Sequence, residues 1–147
     1  MRNARFYDRE YGRLVDFRST TGKEFWETLW SNLDIQKHVA AGSRHRFIRD
    51  ITRKHLSPGA RILDGGCGTG NIVHGLESWG YDAYGIDYAI HAVERTRGLF
   101  PDLKLEVGDV RQLPYEDGFF DGYWSLGVIE HFEEGFERVI SEAARVL

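Results

Sequence analysis

Apolar positions in the second half of the chain fall into short runs, separated by stretches with a helical beat. Arg61-Ile62-Leu63 is a brief apolar strand closed by Asp64. The stretch after it sets Ile72, Val73, Leu76 and Trp79 at offsets 0, 1, 4 and 7, one face of a helix. Ala83-Tyr84-Gly85-Ile86 reads as a second strand, again closed by an acid, Asp87. Residues 103–107 alternate as a third strand, and the aromatic-rich residues 119–125 form a fourth. A last helix is predicted from Phe136, Val139, Ile140, Ala143 and Leu147, at offsets 0, 3, 4, 7 and 11. Upstream, residues 43–56 predict an amphipathic helix with Phe47, Ile48, Ile51 and His55 as its apolar face. Strands alternating with helices indicate an α/β domain built on a parallel sheet.

The first strand runs directly into Asp64-Gly65-Gly66-Cys67-Gly68-Thr69-Gly70. Glycines at 66, 68 and 70 tolerate positive φ and allow close approach of a ligand to the backbone. A strand, a glycine turn and a helix N-terminus form the usual nucleotide-cofactor cradle of an open α/β sheet. Two cofactor classes are excluded by spacing. No window satisfies the dinucleotide G-x-G-x-x-G pattern, and Asn71 and Ile72 stand where a Walker loop requires Lys and Ser or Thr.

What stands here, D-x-G-x-G-x-G, resembles the first motif of the class I S-adenosylmethionine (SAM) dependent methyltransferases. The resemblance extends over about residues 59–147. It implies a Rossmann-like open parallel sheet of strand order 3-2-1-4, with helices on both faces, and methyl transfer from SAM by in-line displacement. Asp64, Gly65, Gly66, Cys67, Gly68 and Gly70 then form the cofactor turn, with Cys67 as a small filler. Asp87 accepts the ribose hydroxyls, and Tyr88 follows it. Asp109 accepts the adenine amino group, and the Val110 N–H donates to the ring. Ser125 and Leu126 open the stretch that lines the SAM pocket, and His131, just beyond it, is the candidate general base. Glu130, His131, Glu133 and Glu134 together suggest a metal, but acids at a helix start are stabilised by the macrodipole without one, so no metal is expected.

The resemblance further divides the chain into residues 1–42, an aromatic and basic lid, and 43–147, the SAM-binding core. Phe6, Tyr7, Tyr11, Phe17, Phe25, Trp26 and Trp30 supply the lid's aromatic content. In similar methyltransferases such a segment covers SAM and helps to shape the acceptor pocket. The family normally continues into a fifth strand and an antiparallel hairpin. A missing C-terminal segment or a partner chain is therefore expected to complete the fold. A non-catalytic SAM-binding module, needing that continuation or partner, remains the alternative to an active enzyme.

Composition narrows the setting. The chain has 147 residues, 41% of them hydrophobic and 29% charged, enough apolar content for one core. No stretch approaches a membrane span, and the N-terminus lacks a signal-peptide apolar region, so a cytoplasmic location is expected. The single cysteine excludes an intrachain disulfide. The net charge of −4 conceals an asymmetry: residues 1–61 carry 13 Lys/Arg against 7 Asp/Glu, and the remainder 6 against 16. The basic excess lies largely on the solvated side of the helix over 43–56, which argues against a nucleic-acid partner. A small-molecule acceptor is expected, but a planar molecule, a quinone-like lipid, a sugar and a modified base all stay open.

Overall fold

The computed structural model describes residues 4–10, 12–17, 23–132 and 135–147. An antiparallel hairpin, β1 (Ala4–Asp8) and β2 (Arg13–Phe17), opens the chain. Helices α1 (Lys23–Ser31) and α2 (Ile35–Ala41) follow, then a 3-10 turn (Gly42–Arg44) and α3 (Arg46–His55). The core alternates β3 (Arg61–Gly65), α4 (Asn71–Ser78), β4 (Asp82–Asp87), α5 (Ile90–Leu99) and β5 (Lys104–Val107). It ends with β6 (Gly122–Trp124), a 3-10 turn (Ile129–His131) and α6 (Glu137–Val146).

The sheet runs β5-β4-β3-β6 with every pairing parallel, which is the 3-2-1-4 order expected for the four core strands. Alternation along β3 decides the layering. Ile62 points into a core with Val39, Ile48, Val73, Leu76, Val93 and Leu105, while its neighbour Leu63 joins Ile86, Val110, Phe120, Val139 and Val146 on the opposite face. Helices thus cover both faces, as a parallel sheet requires. Burying each such aliphatic side chain contributes about 2 kcal/mol.

Two helices depart from the sequence reading. In α3 the buried residues are Ile48 and Thr52, whereas Phe47 is 68% exposed and Ile51 and His55 also face outward. Thr52 rather than Ile51 faces the sheet, where its Oγ1 accepts from Trp124 Nε1 at 3.1 Å and donates to the Ile48 carbonyl at 2.7 Å. In α6, Val139 and Val146 are buried, while Phe136, Ile140 and Leu147 are exposed. The fourth strand is also shorter than residues 119–125. Arg61 Nη1 donates to the Phe119 carbonyl at 2.9 Å, and the Phe120 N–H donates to the Val146 carbonyl at 2.9 Å, so the residues before Asp121 are bonded outside the β3–β6 ladder.

The boundary drawn at residue 42 runs through a tight contact. A Cβ on Gly42 would overlap the Asn71 carbonyl, and one on Gly75 would lie 2.7 Å from the Gly42 carbonyl oxygen. Ile35 and Val39 of α2 are part of the core. What lies over the sheet's carboxyl edge is α1, docked on α5: the His91 N–H donates to Glu27 Oε2 at 3.3 Å and Arg95 Nη1 to the Ser31 carbonyl at 3.0 Å. No helix among the described residues is long and apolar enough to cross a membrane.

Candidate functional site

The glycine turn joins β3 to α4 with all three alternate glycines in the left-handed region, φ being 84° at Gly66, 54° at Gly68 and 73° at Gly70. Most of its amides are already committed. Gly66 and Cys67 N–H both donate to the Ile86 carbonyl, at 2.8 and 3.1 Å, and Gly70 N–H to the Cys67 carbonyl at 2.8 Å. Gly68 N–H donates to Asp87 Oδ2 at 2.7 Å. The turn is therefore a rigid backbone platform, with four of its amides withdrawn from binding an anion.

Asp87 is buried at the end of β4. Besides Gly68, it accepts the Ala89 N–H on Oδ1 at 2.8 Å, and the Tyr88 amide also acts on the carboxylate, which leaves it acceptor capacity for a ligand. Burial raises its pKa, while the Ala89 and Gly68 amides oppose that shift. Asp64, at the end of β3, is only 3% exposed. Burial, and then the Asp87 charge, push its carboxyl up to about 7. Its side chain forms no hydrogen bond among the described residues. Cys67 packs into the core, and burial lifts its thiol further from ionisation, so it is no nucleophile.

On the adjoining strand end, Asp109 is gripped by Arg111: Nε reaches Oδ1 and Oδ2 at 3.0 and 3.1 Å, and Nη2 reaches Oδ2 at 2.7 Å. This hydrogen-bonded pairing holds its carboxyl below the usual range. The guanidinium lies 5.0 Å over the Phe132 ring. Val110 is buried with Leu63 and Ile86. Half-buried Tyr88 has its phenol pushed up, first by burial and then by Asp87. The Ser125 hydroxyl is buried without a partner, and Leu126 is half-exposed beside it.

Aromatic residues of α1 close the region from above. A Cβ on Gly68 would lie 2.7 Å from Trp30 Cζ2. Trp30 stacks with Trp26 at 6.2 Å between centroids, and Trp26 meets His131 edge to face at 5.0 Å. Trp26 and Trp30, expected to belong to a lid, and the candidate base His131 therefore meet around the glycine turn. Phe6 and Tyr7 lie exposed on the hairpin, while Tyr11, the Phe17 side chain, Glu133 and Glu134 lie outside the described residues. Among the described residues no group of three or more His, Cys, Asp or Glu is arranged for a metal.

Sequence reasoning gave no role to His38 or Tyr123, and placed Val128 only within the stretch expected to line the pocket. His38 Nδ1 and Thr69 Oγ1 are 2.7 Å apart, tying α2 to the turn. Val128 fills the space beside Gly66, and the Tyr123 ring tip fills the space beside Gly65. No local pattern marks the last, because Tyr123 pairs in register with Leu63 and only its ring tip reaches Gly65.

Comparison with known proteins gives a consistent picture. The methyltransferase domain family matches residues 63–147. Norajmaline N-methyltransferase of Rauvolfia serpentina is 35% identical over 92 residues, which cover 58% of this chain and 31% of that protein. Sarcosine/dimethylglycine N-methyltransferase of Halorhodospira halochloris is 29% identical over 147 residues, covering 89% of this chain and 52% of that one. The crystal structure of the PH0226 protein from Pyrococcus horikoshii OT3 superposes with a TM-score of 0.69 at 27% identity, over 86% of this chain and 61% of that one. The chain thus spans less than two thirds of each of these proteins. With the family matched over more than half its length, and its sheet order and glycine turn in place, the chain belongs to the class I SAM-dependent methyltransferases.

Proposed function

We propose that the protein transfers a methyl group from SAM to a small-molecule acceptor in the cytoplasm. The observation that carries this reading is the junction of Gly68 with Asp87 beneath Trp30, which joins a left-handed glycine turn, a buried acceptor and an aromatic cover at one point. The residues present fit the cofactor. Three positive-φ glycines form the cradle, Asp87 retains lone pairs for ribose hydroxyls, and the unpaired Ser125 hydroxyl awaits a polar partner. In this reading Asp64, Gly65, Gly66, Cys67, Gly68, Gly70, Asp87, Tyr88, Asp109, Val110, Ser125 and Leu126 hold the cofactor.

Bound SAM supplies an electrophilic methyl group on a sulfonium leaving group. The chain's part is then alignment and exclusion of water. Trp26 and Trp30 cover the reacting region, and Asp64 supplies a buried carboxylate to a cationic ligand. His131, held against the Trp26 edge, takes the proton that an oxygen or nitrogen acceptor loses. An acceptor beneath indole rings is a small, partly planar molecule, in keeping with the small-molecule acceptors in the names of the two relatives above.

Calorimetry with S-adenosylhomocysteine and with NAD tests the reading. The thioether is expected to bind and NAD to fail. The opposite result would sink it.

A further inference from the structure

The glycine turn is fixed from a direction that no part of the cofactor reading uses. Thr69 stands between Gly68 and Gly70 and is fully buried, so its hydroxyl has no recourse to solvent. The partner it finds is His38 on α2, 31 positions away in the chain, with Nδ1 2.7 Å from Oγ1. The same imidazole meets Trp30, tilted at 34° with 6.0 Å between ring centroids, and Trp30 in turn rests on Gly68. Just beyond Gly70, Asn71 Nδ2 approaches His45 Nε2 at 3.4 Å. One short segment therefore reaches both sides of Gly70, a residue held at φ 73°.

The docking of α2 does not depend on His38. Ile35 and Val39 are buried in the core, and Gly42 is pressed against the Asn71 backbone closely enough to exclude a Cβ. With the helix already seated by these contacts, the His38 bond is left to act on the turn and on the indole above it. The neutral ring suits that task. Burial lowers the His38 pKa, with His45 adding to the shift, and a neutral imidazole keeps one nitrogen as a donor and one as an acceptor.

We propose that His38 is a positioning residue for the cofactor turn, acting through the Thr69 hydroxyl on one side and the Trp30 ring on the other. The inference rests on residues 64–70 being the cofactor cradle. It assigns His38 no contact with the reacting atoms. Its effect is to keep the 68–70 backbone and the lid indole in the arrangement that receives ligand, so that less ordering remains to be done on binding.

The test uses the full chain carrying His38→Ala, His38→Asn, Thr69→Val, or His38→Ala with Thr69→Val. Amide hydrogen exchange over residues 66–71 is read without ligand, and S-adenosylhomocysteine affinity is read by calorimetry. His38→Ala and Thr69→Val are each expected to speed exchange in the turn and to weaken the thioether about fivefold, the loss of one hydrogen bond. The double variant should lose no more than either single, because the two changes remove one shared interaction. His38→Asn, which keeps a polar group near Nδ1, should recover most of the affinity. Exchange and affinity unchanged in His38→Ala, or losses that add in the double variant, overturn the inference while leaving the cofactor reading intact. Failure of the unaltered chain to bind the thioether removes the cofactor reading, and the inference with it. If His38→Ala does not fold, Thr69→Val and His38→Asn carry the same comparison.

Discussion

The indole of Trp30 lies directly on Gly68, where a Cβ would come within 2.7 Å of Cζ2 and 3.0 Å of Cε2. One residue thus couples α1 to the glycine turn, and it tolerates a side chain on neither ground: φ is 54° and the space is filled. Gly118 has a similar φ of 66° but nothing within 4 Å of its missing Cβ.

Gly68→Ala should therefore cost more than Gly118→Ala. The exposed site pays only the left-handed penalty of about 1 kcal/mol. Gly68→Ala adds the displacement of Trp30, for a total of about 2–3 kcal/mol. Denaturant unfolding measures the first effect, and S-adenosylhomocysteine affinity should fall at least about tenfold in Gly68→Ala alone. Equal behaviour of the two variants would show that Trp30 does not bear on the turn.

Asp87 and Asp109 should separate in the same assays. Asp87→Ala leaves the Gly68 and Ala89 amides without their acceptor and removes the proposed ribose partner, so affinity should drop more than about tenfold. Asp109→Ala releases Arg111, which retains the Phe132 face, and the adenine keeps its backbone contact in the proposed site. A smaller loss is expected there. An Asp87→Ala chain that binds within about twofold of the unaltered protein would remove the ribose assignment.

The pH dependence follows from Asp64. An ordinary aspartate titrates near 3.8, and burial raises this one to about 7. Between those values the folded chain keeps a proton that the unfolded chain has lost, so this group's contribution to stability falls as pH rises through the window. A cationic ligand reverses the preference by favouring the carboxylate. SAM affinity should thus increase from pH 6 to pH 8, with proton release on binding. Asp64→Asn should flatten both the stability slope and the binding slope. A binding curve that keeps its rise in Asp64→Asn would assign the titration to another group.

Much of this was legible because the informative residues act locally. The strand ends, the acids at 64, 87 and 109, and the glycines at 66, 68 and 70 are each marked by their own neighbours in sequence. Parallel order then follows from alternating strands and helices. What was not legible depends on distant partners. Phe47, Ile48 and Ile51 make an apolar face on paper, yet the buried positions are Ile48 and Thr52, whose hydroxyl accepts from Trp124, 72 positions further on. His38 carries no motif, and its meaning comes from a threonine in the turn. The hairpin β1–β2 was read only as aromatic content, because its alternation is broken by charged residues on both strands.

The last prediction concerns Gly65, whose backbone is ordinary and whose constraint is therefore purely steric. A Cβ there would overlap the Tyr123 hydroxyl and lie 2.5 Å from Cζ and 2.9 Å from Cε1. The ring tip has grown into the space that an alanine would need, and its hydroxyl is buried without a partner. Gly65→Ala should destabilise by about 2–3 kcal/mol through overpacking, and Tyr123→Val by a similar amount through the cavity it leaves. Combined, the new methyl enters the space the ring vacates, so the double variant should be more stable than the sum predicts by at least about 1 kcal/mol. Tyr123→Phe should not rescue Gly65→Ala, since Cζ remains in the way. By itself it should be nearly neutral, because the hydroxyl it removes makes no hydrogen bond. A double-mutant cycle by denaturant unfolding measures the coupling. Strict additivity would show that the turn and β6 relax independently, and that the fit between Gly65 and Tyr123 places no constraint on the cofactor turn.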